Sequence, residues 1–89
     1  MKYDIRHLGF DWMGFGYIFV HLPSTGSYRE DIISAADEVV RRLDGKLTAI
    51  TDTGVILMAP SEVGETPVEF GYRIDGLIEE RSRSLHATD

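Results

Sequence analysis

Residues 2–10, KYDIRHLGF, alternate as a strand does. Tyr3, Ile5 and His7 fall on one side, and Asp4, Arg6 and Leu8 on the other. Residues 15–22, FGYIFVHL, are rich in aromatic and β-branched side chains and predict a second strand. Tyr17, Phe19 and His21 face one way; Ile18, Val20 and Leu22 face the other. A strand that is apolar on both sides belongs in the middle of a sheet. The intervening Asp11-Trp12-Met13-Gly14 reads as a hairpin turn, with Gly14 supplying a positive φ.

After PSTGS the period changes. Ile32, Ile33, Ala36, Val39, Val40 and Leu43 recur at helical spacing and predict a helix over 28–44 with one broad apolar face. Ser27-Tyr28-Arg29-Glu30 spells a capping box at its start. Gly45 stands where a C-terminal cap belongs. KLTAIT (46–51) and VILMAP (55–60) predict two further strands, joined by a turn at Asp52-Thr53-Gly54.

The last third carries two signals. Val68, Phe70, Tyr72 and Ile74 alternate with Glu69, Gly71, Arg73 and Asp75, a strand pattern closed by Asp75-Gly76. Thr66-Pro67-Val68-Glu69 also spells a capping box with proline at the first helical position. Gly71 and Gly76 would each cost a helix interior about 1 kcal/mol relative to alanine, so a strand is expected over 68–74. Residues 77–84 fit a return strand or a short helix, and 85–89 a frayed tail.

The expected fold is therefore α+β: an antiparallel sheet of order ββαββ, plus a C-terminal strand or helix, with one long helix packed on one face. With a helix at the end, ββαββα is a circular permutation of the ferredoxin-like sandwich, an architecture that carries no function by itself.

A chain of 89 residues makes a single domain over 1–89 with one modest core, and its 43% apolar content is that of a globular protein. There is no cysteine, hence neither a disulfide nor a thiolate metal site. No apolar run approaches the ~20 residues of a membrane span, and the first residues lack a signal-peptide stretch. The expectation is a cytoplasmic protein without cofactor or membrane contact. Fifteen acids against nine Lys and Arg give a net charge of −6. That sign repels nucleic acid and favours a basic partner.

Asp52-Thr53-Gly54 matches the aspartic-protease signature in three residues. That family has an apolar residue before the aspartate, where this chain has Thr51, and a second glycine-containing motif that this chain lacks. Turn chemistry accounts for the tripeptide. His7, His21 and His86 do not fall at ligand spacing, and no glycine-rich segment leads into a helix as a phosphate loop does. Asp37–Arg41 and Glu38–Arg42 are i, i+4 pairs with the acid N-terminal, the favourable orientation.

Two candidate surfaces remain. The first is acidic: Glu30, Asp31, Asp37 and Glu38 on the helix, with Glu79 and Glu80 near the C-terminus, where carboxylates can imitate a phosphate track. The second is aromatic. GFDWMGFGYIF, residues 9–19, holds five aromatic residues, including the only tryptophan. Ile18, Val20 and Leu22 pack under the helix, which leaves Tyr17 and Phe19, with Tyr3, on the opposite face. Trp12 sits at a turn, where no core needs it. Trp12, Tyr17 and Phe19 therefore form a candidate interface, most simply that of a homodimer.

In size, acidity, lack of cysteine and helix-on-sheet organisation the chain resembles the small inhibitor proteins of phages and mobile elements, including anti-CRISPR proteins. The resemblance implies a non-enzymatic protein in the cytoplasm of a bacterial host. It would block the basic groove of a nucleic-acid-handling complex through its acids and bind no nucleic acid itself. The rival reading is a ligand-binding or regulatory ferredoxin-like domain with an open aromatic sheet face.

Overall fold

The computed structural model describes residues 5–23 and 26–87, apart from the side chains of Ser27, His86 and Ala87. The element order is β1 (Ile5–Phe10), β2 (Phe15–His21), α1 (Ser27–Arg42), β3 (Lys46–Ile50), β4 (Gly54–Pro60) and α2 (Pro67–Ala87). All neighbouring strands are antiparallel, in the order β1-β2-β4-β3. That is the strand order of a ferredoxin-like sheet begun at its last strand. Both helices lie on one face, α1 against β3 and β4, and α2 against β1 and β2.

The core is the layer between. Ile18, Val20 and Leu22 of β2 and Val55, Leu57 and Ala59 of β4 meet Ile32, Ala36 and Val40 of α1 and Phe70, Ile74 and Ile78 of α2. The period-2 alternation of β2 thus buries one set of side chains and presents the other, as its sequence predicts.

Four expectations are corrected. The strand over 68–74 is the first part of α2. The Thr66 capping box forms: the Glu69 amide donates to Thr66 Oγ1 at 3.1 Å, and the Thr66 amide donates to Glu69 Oε1 at 2.9 Å. Phe70, Ile74 and Ile78 then share a fully buried stripe, while Val68 and Tyr72, which a strand would place on the same face, are exposed. Gly71 is present because a Cβ there would run into the ring of His7 on β1; close approach, and not strand formation, explains it. Second, the helix continues through Leu85, which packs against the core, where fraying is expected; residues 88 and 89 lie outside the described part. Third, Ser27 is the first helical residue of α1, and Gly26 stands at its N-cap. Fourth, the left-handed position ending α1 belongs to Asp44 (φ 65°), not to Gly45. The Asp44 amide donates to Arg41 O (3.2 Å) and the Gly45 amide to Val40 O (2.7 Å), a Schellman motif. Gly45 is needed one position later, where a Cβ would strike the Met58 carbonyl oxygen on β4.

Two arginines tie the loops down. Arg29 donates to the carbonyls of Pro23 (3.0 Å), Asp52 (3.1 Å) and Thr51 (2.8 Å), holding the start of α1 to the β3–β4 turn. Arg73 makes a bidentate pair with Glu65 (2.7 and 3.0 Å) and reaches Pro60 O at 3.3 Å, fixing the loop before α2. The Arg73 guanidinium holds the Glu65 carboxyl below the usual carboxylate range. No helix among the described residues is long and apolar enough to cross a membrane.

Candidate functional site

Because α1 and α2 share one side, no layer among the described residues covers the other side of the sheet. Its register is explicit. Arg6, Phe19, Ile56 and Ala49 form one cross-strand row; Gly9, Tyr17, Met58 and Lys46 form the next. Phe15 and Pro60 close one end and His21 the other. Leu8 lies between the two rows, at the bulge of β1 between His7 and Gly9, and is 51% exposed. Phe19 stands edge-on to His21, 4.7 Å between centroids and 89° between planes. Arg6, Leu8, Phe19, His21, Thr53 and Ile56 line a shallow depression of about 360 Å³.

Trp12 and Met13 project at the tip of this face, 92% and 63% exposed. Asp11 fixes the turn that carries them. Its Oδ1 accepts from the amides of Met13 (2.9 Å) and Phe15 (3.0 Å), and its Oδ2 from the Tyr17 hydroxyl (2.8 Å). The Phe15 amide, together with the Tyr17 hydroxyl and the Met13 amide, holds the Asp11 carboxyl below the usual range against partial desolvation. The same bond raises the Tyr17 phenol, so both groups keep their roles at neutral pH. Gly14 has the expected positive φ, 89°, and its carbonyl accepts from the Ser61 amide and hydroxyl at 2.8 and 2.7 Å. The tip is therefore braced from both sides, and its indole is held out to solvent on an ordered turn.

Tyr17 and Phe19 thus stand on the face opposite Ile18 and Val20, with Trp12 at its end. Tyr3 lies outside the described residues, and its alternation partners Ile5 and His7 face the helices. Leu8, Ile56 and Met58 belong to the same surface. The VILMAP alternation carries the last two, but only pairing with β2 shows which side they take.

The acids are distributed differently. Among the described residues no Asp or Glu occurs in any of the four strands. Each helix carries four acids and three arginines, a net charge of −1 apiece. Asp37 is paired with Arg41 at 2.9 Å, and Glu38 with Arg42 at 3.0 Å, as their spacing predicts. Glu38 also approaches Arg81 of α2 to 2.7 Å. This ion pair brings the Asp37/Glu38 and Glu79/Glu80 groups into one layer, but with arginines between them. Glu80 is exposed at a groove shared with Arg42 and Arg81. Glu30 is exposed in the first turn of α1 and Asp31 half-buried just after it, two turns from Glu38. The helix layer is a mixed-charge surface.

Asp52 sits in a turn organised by Thr51, whose Oγ1 accepts from the amides of Thr53 (3.3 Å) and Gly54 (3.1 Å); the tripeptide serves as turn chemistry. Among the described residues no three His, Asp or Glu side chains converge in a way that would hold a metal ion. No family model, curated protein or solved structure matches this chain.

Proposed function

We propose that this protein is a non-enzymatic binding domain acting in the cytoplasm, and that its open aromatic sheet face, tipped by Trp12, makes the contact. The observation that carries the reading is that face itself. Leu8, Tyr17, Phe19, Ile56 and Met58 lie together on a four-stranded surface whose described strand residues include no acid, on a chain of net charge −6. Contiguous apolar surface of this kind marks interaction sites. Aromatics dominate contact energies because each buries much area at little rotamer cost.

The acidic reading is the alternative: an inhibitor of the anti-CRISPR type that blocks the basic groove of a defence complex. The net charge and the exposed Glu30 and Glu80 favour it. The pairing of Asp37 and Glu38 weakens it, since their carboxylates already have partners.

Affinity capture from a bacterial lysate separates the two, using wild type, Phe19→Ser and the double reversal Glu30→Lys/Glu80→Lys, each eluted in rising salt. A sheet-face partner is lost by Phe19→Ser, kept by the double reversal, and resists salt. If the double reversal instead loses the partner, Phe19→Ser keeps it, and elution comes at low salt, the contact is acidic. Far-UV circular dichroism of each variant confirms that the helices persist.

A further inference from the structure

We propose that the occupant of the open face is a second copy of this chain, related by a two-fold axis that lies in the interface and runs across the strands. The inference rests on the reading of the sheet face as the contact surface.

The edges are closed to association. Both edge strands are short, and each is interrupted by a register shift, between His7 and Gly9 in β1 and between Leu47 and Ala49 in β3. Bulged edges pair poorly with an added strand. The face is left, and it is self-complementary. An axis through Leu8, between the two rows, lays Phe19 over the partner subunit's Tyr17 and Ile56 over the partner subunit's Met58. It lays Arg6 over the partner subunit's Gly9, where the absence of a side chain leaves room for a guanidinium. Beyond that gap lies the partner subunit's Asp11, at the opposite end of β1. Among the described residues no acid pairs with Arg6. The two-fold would therefore form two Arg6–Asp11 ion pairs at the rim of an aromatic centre. An axis along the strands would instead place both Arg6 ends on the same side, and both Asp11 ends on the other.

Four strands of up to seven residues give a flat face of about 450 Å². That is smaller than the ~800 Å² per partner of a standard interface, so the dimer should dissociate on dilution through the micromolar range.

The chain has no cysteine, so Leu8→Cys carries the only thiol, on the axis itself. Sedimentation equilibrium should show a concentration-dependent dimer, and a short bis-maleimide should cross-link Leu8→Cys to itself. Arg6→Glu, which sets acid against Asp11, should weaken the dimer at least about tenfold, and Arg6→Gln less. A chain monomeric at several hundred micromolar overturns the second copy, while the contact-surface reading stands or falls separately on Phe19→Ser capture. A dimer that the bis-maleimide does not join at Leu8→Cys, or that Arg6→Glu leaves intact, overturns the orientation.

Discussion

Gly16→Ala probes how α2 docks on β2. Gly16 lies on the helix-facing side of β2, and a Cβ there would stand 2.6–2.7 Å from three atoms of the Phe70 ring. Carbon atoms rest at about 3.5–4.0 Å, so the ring would have to retreat by roughly 1 Å. It has little freedom to do so. Phe70 is 1% exposed, Phe10 packs edge-on against it at 5.7 Å, and the Arg73 guanidinium lies 5.5 Å from its centroid. Alanine in place of glycine in a strand interior is worth about 0.5–1 kcal/mol by itself. Overpacking a rigid core costs about 1–3 kcal/mol. The second effect wins, and a net destabilisation of roughly 1–2 kcal/mol is expected. Urea unfolding followed by far-UV circular dichroism measures it. The same substitution in a Phe70→Leu background relieves the clash, so the double mutant should fall short of the sum by about 1 kcal/mol. A neutral or stabilising Gly16→Ala, or strict additivity, would refute the packing of Phe70 on β2.

Gly76→Ala should stabilise by about 1 kcal/mol, because nothing lies within 4 Å of a Cβ there. Gly71→Ala should fall short of that gain until His7→Ala removes the ring it meets, which a double-mutant cycle reads. The folded-state pKa of Glu65 is lowered by Arg73, so the pair stabilises fully above the unfolded value of about 4.3, and that stability is lost as pH falls through the folded value. Urea midpoints between pH 6 and pH 3 should therefore drop less in Glu65→Gln than in wild type, and identical slopes would show that the pair contributes nothing. Trp12→Ala should change stability by less than about 0.5 kcal/mol, since the indole packs against no core; a larger loss in thermal unfolding would place Trp12 inside the fold.

The strands and α1 were readable because their signals are local. Alternation in FGYIFVH assigns both faces of β2, and the helical spacing of Ile32, Ala36, Val39 and Val40 assigns α1. The second helix is obscured in the sequence because Gly71 answers to a distant partner, while Gly76 carries its helical cost with nothing near it. Gly71 accommodates His7, which no window around residue 71 contains, so within the sequence its helical cost favours a strand. The capping box at Thr66 was the truer signal, since it is satisfied entirely within four residues. The aromatic site shows the same division. Tyr17, Phe19 and Trp12 follow from alternation and from a turn, whereas Leu8 joins them through a bulge that only pairing with β2 reveals. Among the acids, the i, i+4 pairs were visible in the sequence; the Glu38–Arg81 contact, which spans two helices, was not.

The strand order has a kinetic consequence. The sheet consists of two local hairpins, β1–β2 and β3–β4, joined along a single seam between β2 and β4. Each hairpin closes over a turn of a few residues, but the seam partners His21 and Gly54, and Phe15 and Pro60, lie 33 and 45 positions apart in the chain. Closing that longer loop costs roughly 2 kcal/mol more in chain entropy than closing a turn. The hairpins and α1 can form early and reversibly on microsecond timescales. The passage to the native state then waits on the seam, where Ile18, Val20, Val55 and Leu57 come together under both helices at once. Folding speed in this domain is thus set by one zippering event in the middle of the sheet, and the elements that look most autonomous in the sequence are spectators to it.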